Sequence, residues 1–397
     1  MRVLMSTYGS RGDVEPLVAL ALRLRELGAE VRMCAPPDFA QRMADVGVPF
    51  VPVGPSASAL TASAPPVSSF SQRAADLIAN QFEAVAAAAD GCDVLVATGM
   101  VPAAAGALSV AEKLGLRAVS VTFQQLTLPS PHRRPLAYPG RPFPQGVTDN
   151  RVLWDLDAQS NNELFGEALN INRTANGLPP VADVRGYVLG DRPWLATDPV
   201  LDPWEETPDF EVVQTGAWIE PDTRSLPSDV EAFINAGTPP VFVAFSTMHM
   251  HASADTVQLA IEAIRAQGRR ALVSHSSTGI DDQDDCFFVG EVNHQALFRR
   301  VAAVVHHGGA GTTTTATRAG APQVVIPQLA DQPYWASRVA DLGIGVALED
   351  PTSESVSAAV KTALTAETRA RATEVAGAIR TDGAEVAAKM LLGATAG

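Results

Sequence analysis

The sequence predicts an α/β protein with two domains, each built on a parallel sheet. The chain has 397 residues, more than one hydrophobic core usually supports. Hydrophobic residues make up 46% and charged residues 18% of it, a balance typical of a folded chain rather than a disordered one. Short apolar runs alternate with helical segments in both halves, and this alternation is typical of parallel sheets.

The first half opens on the run RVLMS, which is apolar, short and ended by turn residues, so it predicts a strand. A helix is predicted from Val14 to Leu27, because leucines and alanines recur there at helical spacing before Gly28. The same pattern then predicts strands at EVRMCAP, DVLVATG and RAVSVTF, and helices around 39–46, 74–89 and 102–114. From Leu126 to Gly146 the chain is rich in Pro and has no period, which predicts a long functional or mobile loop.

A turn-rich passage beginning at Asp198 marks the domain boundary, because a new alternation of strands and helices follows it. The second half predicts strands at PVFVAFS, RALVSH, CFFVG, AAVVHHGG and PQVVIP, and helices over 254–267, near Ala296, and over 312–319, 333–342, 354–364 and 367–392. We therefore divide the chain into a first domain over 1–200, a linker over 201–227, a second domain over 228–375 and a C-terminal helix over 376–397 that can pack back on the first domain.

Charge and cysteine content exclude several classes of protein. The formal net charge is −15, so the averaged surface repels nucleic acids and anionic membranes. The cysteines, Cys34, Cys92 and Cys286, are odd in number and widely spaced, which favours neither a disulfide framework nor a zinc site. With no signal peptide or membrane span visible at MRVLMSTYG, we expect a cytoplasmic protein, and we expect it to be a monomer.

The strongest chemical signal is VVHHGGAGTTTTATRAG, from Val304 to Gly320. Glycines 308, 309 and 311 allow backbone amides to approach a ligand closely, and the positive end of a helix with hydroxyls at Thr312 and Thr313 favours an anion such as a diphosphate. His307, at the strand end, is placed to donate a hydrogen bond to a phosphate oxygen; the alternative is a histidine satisfied locally. His306 is predicted to point the opposite way.

Asp331 and Gln332 follow the predicted strand PQVVIP and precede a helix. This order places their side chains at the carboxyl edge of the sheet, where they can bind sugar hydroxyls. The structural alternative is that Asp331 caps the helix that follows.

HHGGAGT together with the segment from Pro327 to Gln332 resembles the donor-binding signature of family 1 type inverting glycosyltransferases, which have the GT-B fold of two Rossmann-like domains facing across a cleft. MRVLMSTYGSRGDVEPLVALALRLRELGAEVRMCAPPDF, VGVPFVPVG, VVQTGAWI, EAIRAQGRR and EVNHQALF are similar to the actinobacterial enzymes that act on vancomycin- and teicoplanin-type antibiotic aglycones. The resemblance implies a nucleotide diphosphate sugar as co-substrate, no cofactor, and a heptapeptide aglycone as acceptor on the N-terminal domain, to whose side we assign the Pro-rich loop.

The same resemblance implies roles for individual donor-site residues. The backbone of Val292 would meet the base, and Asp331 and Gln332 would hold the sugar. Gly12 is also assigned to donor binding. Ser246 and Thr247 stand where relatives have a glycine followed by serines, and His275 and Ser276 stand where relatives carry an Arg-Gly-Trp stretch. The residues that would hold the diphosphate are His307, Gly309, Ala310, Gly311 and Thr312.

For catalysis the sequence points to YGSRGDVEP, which is predicted to place Asp13 and Ser10 in the cleft between the domains. An inverting transfer needs the acceptor hydroxyl to lose its proton as it attacks, and we assign Asp13 as the general base. The alternatives are that Asp13 caps a helix beginning near Val14 and that Ser10 serves only the turn. No Asp-x-Asp motif follows a strand to hold a divalent ion, so we expect no metal and activity that survives chelation.

Three other functions fit parts of the sequence. A nicotinamide oxidoreductase shares the fold class, but the first strand is not followed by the glycine triplet that such enzymes need. A sugar-nucleotide epimerase would also bind a diphosphate at a helix start, and the Pro-rich loop weighs against it. A non-catalytic activator that binds a sugar nucleotide is disfavoured by Asp13 and Asp331. Uridine and thymidine donors both stay open, and QLADQPYWASRV favours a UDP-hexose by resemblance.

Overall fold

The structure, a computed structural model, describes residues 1–58, 70–208, 211–245, 254–274 and 285–393. The chain forms two compact units. Unit 1 comprises Met1–Thr197, Pro203–Glu220 and Thr381–Gly397, and unit 2 comprises Asp198–Asp202 and Pro221–Arg380. The linker predicted over 201–227 thus contains residues of both units, because 203–220 group with unit 1 and 221–227 with unit 2.

Unit 1 is built on a seven-stranded sheet whose paired strands are all parallel. Its strands are β1 (Arg2–Ser6), β2 (Glu30–Ala35), β3 (Phe50–Pro52), β4 (Val94–Ala97), β5 (Arg117–Thr122), β6 (Trp194–Leu195) and β7 (Val213–Gln214). Their order in the sheet is β3-β2-β1-β4-β5-β6-β7. The first strand of the chain therefore lies in the interior of the sheet, where the residues after it reach the carboxyl edge.

Helices cover both faces of this sheet. On α1 the side chains of Leu17, Leu20 and Leu24 are buried, as their helical spacing predicts. A π-helical turn over Asn162–Gly166 joins two of the later helices. The helices of unit 1 are α1 (Arg11–Glu26), α2 (Ala40–Val46), α3 (Phe70–Ala88), α4 (Val101–Leu114), α5 (Asn150–Asn161), α6 (Glu167–Ala175), α7 (Val184–Leu189) and, from the end of the chain, α15 (Gly383–Leu391).

Unit 2 repeats the architecture with a six-stranded sheet, again parallel at every pair. Its strands are β8 (Val241–Ala244), β9 (Ala271–Ser274), β10 (Cys286–Val289), β11 (Ala303–His306), β12 (Gln323–Val325) and β13 (Gly345–Ala347), in the order β10-β9-β8-β11-β12-β13. Its helices are α8 (Ser228–Asn235), α9 (Ala254–Ala266), α10 (His294–Leu297), α11 (Ala310–Arg318), α12 (Gln332–Asp341), α13 (Ser353–Ala363) and α14 (Ala366–Ala376).

Each sheet is buried on both faces, because neighbouring residues of a strand enter different cores. Val3 and Met5 belong to one cluster of unit 1 and Leu4 to another. In unit 2, Val305 and Val304 divide in the same way. This explains why the strands read as nearly continuous apolar runs, and it confirms the predicted α/β class with two parallel sheets.

The single helix predicted over 367–392 is wrong. The chain forms α14 and α15 instead, separated by residues 377–382, and the two helices belong to different units. The apolar period continues across the break, but the backbone N–H of Arg380 donates to Asp198 Oδ2 at 2.7 Å. This bond to a residue far back in the chain holds the amide outside any helix.

The Pro-rich segment contains no α-helix or strand over 128–149, and two side chains of α5 donate hydrogen bonds to its backbone. Trp154 Nε1 donates to the Arg133 carbonyl at 2.8 Å, and Asn150 Nδ2 donates to the Pro131 carbonyl at 2.9 Å. Across the residues that the structure covers, none of the helices combines the length and apolar character that crossing a membrane requires.

Candidate functional site in unit 2

The site is built where β11 ends and α11 begins. Gly308 has a φ of +89°, a left-handed conformation that glycine adopts without the steric cost of a side chain. Gly309 is the N-cap of α11 and offers no side-chain cap. The first hydrogen bond of the helix runs from Thr313 N to Gly309 O at 2.9 Å, so the amides of residues 310–312 precede it and have no partner within the helix.

The three glycines of this turn have different surroundings. A Cβ on Gly309 would lie 2.7 Å from His307 Nε2, and one on Gly308 would lie 2.8 Å from Val325 Cγ1. A Cβ on Gly311, in contrast, would meet nothing within 4 Å. The first turn of α11 therefore presents bare amides and open space, which is the arrangement that binds an anion at a helix N-terminus.

The threonines of α11 act differently from the sequence-based expectation. Thr313, expected to present its hydroxyl to the ligand, is fully buried, and its Oγ1 donates to the Gly309 carbonyl at 3.0 Å. Thr314 and Thr315 donate in the same way to the carbonyls four residues earlier, each at 2.8 Å. Helix geometry favours these local bonds. Thr312 is half-buried at the start of the helix.

The two histidines lie in different environments. His306 is fully buried, whereas His307 is half-buried beside the glycine turn. His307 Nδ1 is buried and makes no well-aligned hydrogen bond within the described part of the chain. Burial lowers the pKa of His307, and the backbone of Ala244 nearby acts in the opposite direction. His307 thus brings a neutral ring to the turn at neutral pH.

Asp331 and Gln332 lie at the start of α12. Asp331 is the N-cap but makes no side-chain cap bond; instead its Oδ2 accepts from Trp335 Nε1 at 2.7 Å. Burial raises the pKa of Asp331, and the Trp335 hydrogen bond acts against that rise. Gln332 Oε1 accepts from the amides of Gln328 and Leu329 at 2.8 and 3.2 Å.

The start of α12 packs against the glycine turn. A Cβ on Gly308 would lie 3.1 Å from the Gln332 carbonyl oxygen. Two residues before α12 begins, Ala330 has a φ of +53°, a conformation that costs a residue with a Cβ about 1–2 kcal/mol. The structure therefore brings the predicted diphosphate turn and the predicted sugar residues together within unit 2.

The other residues of the second half predicted to bind the donor are either buried in the core or outside the described residues. Val292 is buried, with its side chain in a core cluster of unit 2, and the next residue, Asn293, caps α10 by accepting from Ala296 N at 2.9 Å. Ser246, Thr247, His275 and Ser276 lie outside the described residues. In the portion of the chain with described coordinates, no group of three or more His, Cys, Asp or Glu residues is placed to hold a metal ion.

In unit 1 the predicted catalytic residues form a helix cap. Ser10 is the N-cap of α1, its Oγ accepting from Gly12 N at 3.2 Å, and Asp13 Oδ2 accepts from Ser10 N at 2.8 Å. The alternative that Asp13 is itself the N-cap of a helix starting near Val14 is therefore wrong, because α1 begins at Arg11. A Cβ on Gly9 would lie 2.1 Å from Asp13 Oδ2, so this glycine makes room for the carboxylate.

Two supporting residues have no counterpart in the sequence-based site. The first is Gln323, which lies on the neighbouring strand β12 and accepts a hydrogen bond from His306, whose other partner is the Gly308 amide. No local sequence pattern predicts the contact with Gln323. The second is Trp335, which lies four residues after Asp331 on the same helix face. That spacing is a signal the sequence contains.

The chain is similar in sequence to known proteins over nearly its whole length. Residues 3–127 match the family described as "Glycosyltransferase family 28 N-terminal domain", and residues 276–390 match "Erythromycin biosynthesis protein CIII-like, C-terminal domain". The chain is 54% identical to the vancomycin aglycone glucosyltransferase of Amycolatopsis orientalis, covering 99% of this chain and 98% of that one. It is 47% identical to the dTDP-epi-vancosaminyltransferase of the same organism, covering 94% and 93%.

The fold has solved counterparts. The glycotransferase of kitacinnamycin superposes with a TM-score of 0.75 at 20% identity, covering 98% of each chain. The glycosyltransferase SnogD from Streptomyces nogalater superposes with a TM-score of 0.68 at 22% identity, covering 99% of each. The chain therefore belongs to the family of glycosyltransferases that includes the vancomycin aglycone enzyme, and it has their GT-B fold of two Rossmann-like domains.

Proposed function

We propose that this glycosyltransferase moves a hexose, with inversion, from a UDP- or TDP-sugar to a hydroxyl of a glycopeptide heptapeptide aglycone. The start of α11 carries the proposal: amides without helical partners, a glycine with open space around it and His307 beside them. The diphosphate would bind these amides, which stabilise the negative charge that develops as it leaves. Asp331 and Gln332, packed against the same turn, would bind the sugar.

Gly311→Ala tests the donor site with its own control for folding. The new Cβ has open space in the protein, and Ala at a helical position is more stable than Gly by up to about 1 kcal/mol. In the proposed complex the same space holds phosphate oxygens. We expect calorimetry to show a dissociation constant for UDP or TDP raised about tenfold, equivalent to about 1.4 kcal/mol, with thermal stability unchanged or higher. Wild-type affinity in this variant would contradict the site.

Asp13 is proposed as the general base. As the acceptor oxygen bonds to the anomeric carbon, the bond from that carbon to the phosphate oxygen breaks with its electron pair, and the acceptor proton passes to the Asp13 carboxylate. The bond from Ser10 N to Asp13 Oδ2 fixes the orientation of the carboxylate. Ser10 would contribute chiefly through this cap. With backbone amides holding the leaving group, the mechanism requires no metal.

Asp13→Asn separates catalysis from capping. The amide oxygen can still accept from Ser10 N, but the side chain can no longer take a proton. We expect kcat to fall by about 10²–10⁴-fold while UDP or TDP affinity stays near wild type. The matched control is Asp183→Asn, which removes the same charge from another N-terminal cap of unit 1, where Asp183 Oδ1 accepts from Gly186 N at 3.0 Å. Loss of nucleotide binding in the Asp13 variant would assign Asp13 a structural role instead.

Donor and acceptor are assigned from the relatives. One relative is named a glucosyltransferase and the other a dTDP-epi-vancosaminyltransferase, at 54% and 47% identity, which favours glucose over an aminodeoxysugar. Incubation of a heptapeptide aglycone with a panel of UDP- and TDP-sugars, followed by mass spectrometry, should show addition of one hexose.

Loss of that product in the presence of a chelator would overturn metal independence. Conversion of the donor sugar without acceptor would favour an epimerase, and no conversion with any donor would favour an activator.

A further inference from the structure

His306 is a buried residue beside the donor site to which neither the motif nor the proposed reaction assigns a role. Gly308 N donates to His306 Nδ1 at 3.1 Å. Because a backbone N–H can only donate, Nδ1 is the unprotonated ring nitrogen and Nε2 carries the hydrogen. Nε2 then donates to Gln323 Oε1 at 3.0 Å. The ring thus links the glycine turn to the first residue of β12.

The link continues into α11. Gln323 Nε2 donates to Thr317 Oγ1 at 3.0 Å, and Thr317 Oγ1 donates to the Thr313 carbonyl at 2.8 Å. All three side chains, which we call the His306 network (His306, Gln323 and Thr317), are buried. Each donor in this chain of bonds has an acceptor, and a satisfied buried network holds its members in one arrangement.

The turn needs such a support. Glycine loses more conformational freedom on folding than other residues, and Gly308 and Gly309 follow one another here. Gly309 has no side chain with which to cap α11. The side chain of His306, which accepts from Gly308 N, fixes the turn instead. Burial lowers the pKa of His306 to about 3. The ring therefore stays neutral and keeps its lone pair for Gly308 even beside an anionic ligand.

We propose that His306 is a positioning residue for the donor: its Nδ1 holds the Gly308 amide, and through it the glycine turn, in the conformation that directs the amides of residues 310–312 at the diphosphate. This inference rests on the proposed function, because it assumes that the diphosphate binds there. The role differs from that of His307, since His306 touches no ligand and acts through the backbone.

The test compares three variants of the full chain by thermal unfolding, by calorimetry with UDP and TDP, and by steady-state kinetics. His306→Leu removes the acceptor for Gly308 N, and loss of this buried bond should raise the nucleotide dissociation constant and the donor KM about tenfold, with a smaller change in kcat. His306→Asn places an oxygen near the position of Nδ1. It should bind nucleotide within about threefold of wild type, although it unfolds at a lower temperature because Gln323 loses its donor.

Val324→Ala is the matched control, because Val324 is fully buried on the same strand as Gln323 but belongs to the other core face. It should lower stability and leave nucleotide affinity unchanged. Hydrogen exchange adds a direct measurement: the Gly308 amide should be protected in wild type and His306→Asn, and exchange faster in His306→Leu. Wild-type affinity in folded His306→Leu would overturn the proposal.

If His306→Leu does not fold, Gln323→Leu takes its place. It removes the acceptor that orients the ring, and unchanged nucleotide affinity in that variant would equally overturn the proposal. Gly311→Ala separates failure of the His306 proposal from failure of the donor site. If Gly311→Ala lowers nucleotide affinity while the variants of the His306 network do not, the donor site is supported and the role of His306 is wrong. If Gly311→Ala also binds as wild type does, the donor site itself is wrong.

Discussion

At the scale of single residues, the candidate site depends on a few hydrogen bonds that hold polar side chains in one orientation. Asp331 shows this most clearly, since one of its carboxylate oxygens is held by Trp335 Nε1 at 2.7 Å. Sugar hydroxyls are recognised through directional hydrogen bonds, so a carboxylate with one oxygen anchored presents its other oxygen in a defined direction. Trp335 is fully buried and is therefore a rigid support.

Trp335→Phe should weaken donor binding selectively. The variant keeps an aromatic ring but loses the N–H, so Asp331 is less well oriented and its pKa, already raised by burial, rises further. We expect the KM for the nucleotide sugar to increase about threefold to tenfold, in line with the net contribution of about 0.5–1.5 kcal/mol from one hydrogen bond, and UDP affinity to stay unchanged. Trp218→Phe, which loses a buried N–H bond to Thr215 Oγ1 at 2.9 Å in unit 1, should leave this KM unaltered.

His306 also predicts a pH dependence of stability. Burial lowers its folded-state pKa to about 3, below the value of about 6.5 in an unfolded chain. Its contribution to stability is therefore complete above pH 6.5 and is lost as pH falls towards 3. Between pH 7.5 and 5 the free energy of unfolding should drop by about 2 kcal/mol from this residue alone. Urea unfolding of wild type and His306→Asn at both pH values measures it, and an equal drop in the two proteins would contradict the assignment.

At the scale of elements, the proposed chemistry lies at a helix start in each unit, but the two starts are built differently. The start of α1 is closed by a capping box of Ser10 and Asp13, whereas the start of α11 has only glycine and stays open. A capped start satisfies its own amides. An uncapped start offers them to a ligand.

The packing of α15 gives a prediction at this scale. A Cβ on Gly383, the first residue of the helix, would lie 2.5 Å from the Gly216 carbonyl carbon and 2.6 Å from the Ala217 oxygen. Because these are backbone atoms, they cannot turn aside as a side chain can. Gly383→Ala should lower the free energy of unfolding by about 1–3 kcal/mol through overpacking, despite the better helix propensity of Ala. Gly290→Ala, where a Cβ meets nothing within 4 Å, is the control and should stay within about 0.5 kcal/mol of wild type.

The sequence predicts those parts of the fold and site whose determinants are close together in the chain. The strand, glycine turn and helix from Val304 onward are contiguous, so their arrangement can be inferred directly. The role of His306 could not be, because its partner Gln323 stands on another strand. The break between α14 and α15 depends on Asp198, nearly half the chain away. The capping box of Ser10 and Asp13, in contrast, has a local spacing that could have revealed it, although the apolar spacing predicts a helix that begins only at Val14.

At the scale of the whole molecule, the net charge of −15 and the proposed anionic donor are compatible because of how the site is made. In the proposed complex, backbone amides and a neutral His307 would bind the diphosphate locally, without a basic patch. The chain as a whole still repels polyanions. A site of this kind would give affinity for a small diphosphate without affinity for nucleic acid, which needs many cationic contacts at once.

The last helix, α15, packs in unit 1 with the first helix of the chain, and this packing gives a final prediction. Residues of α15 enter a core cluster of unit 1 alongside Leu17 and Leu20, and Arg117 Nη1 donates to the Leu391 carbonyl at 3.0 Å. A chain truncated after Arg380 loses the burial of Ala384, Ala387, Ala388 and Leu391, worth roughly 5–6 kcal/mol at about 0.8 kcal/mol for each buried side-chain carbon. It should unfold at markedly lower denaturant concentration and lose transferase activity.

A chain stopped after Gly393 is the control for that truncation, because it keeps α15 entire and should unfold as wild type does. Folded protein of the shorter chain should still bind UDP or TDP, since every residue assigned to the diphosphate turn and to the sugar lies in unit 2. Equal denaturation midpoints for the two truncated chains would show that α15 adds nothing to unit 1. Loss of nucleotide binding by folded protein of the shorter chain would show that the donor site needs more than unit 2 provides.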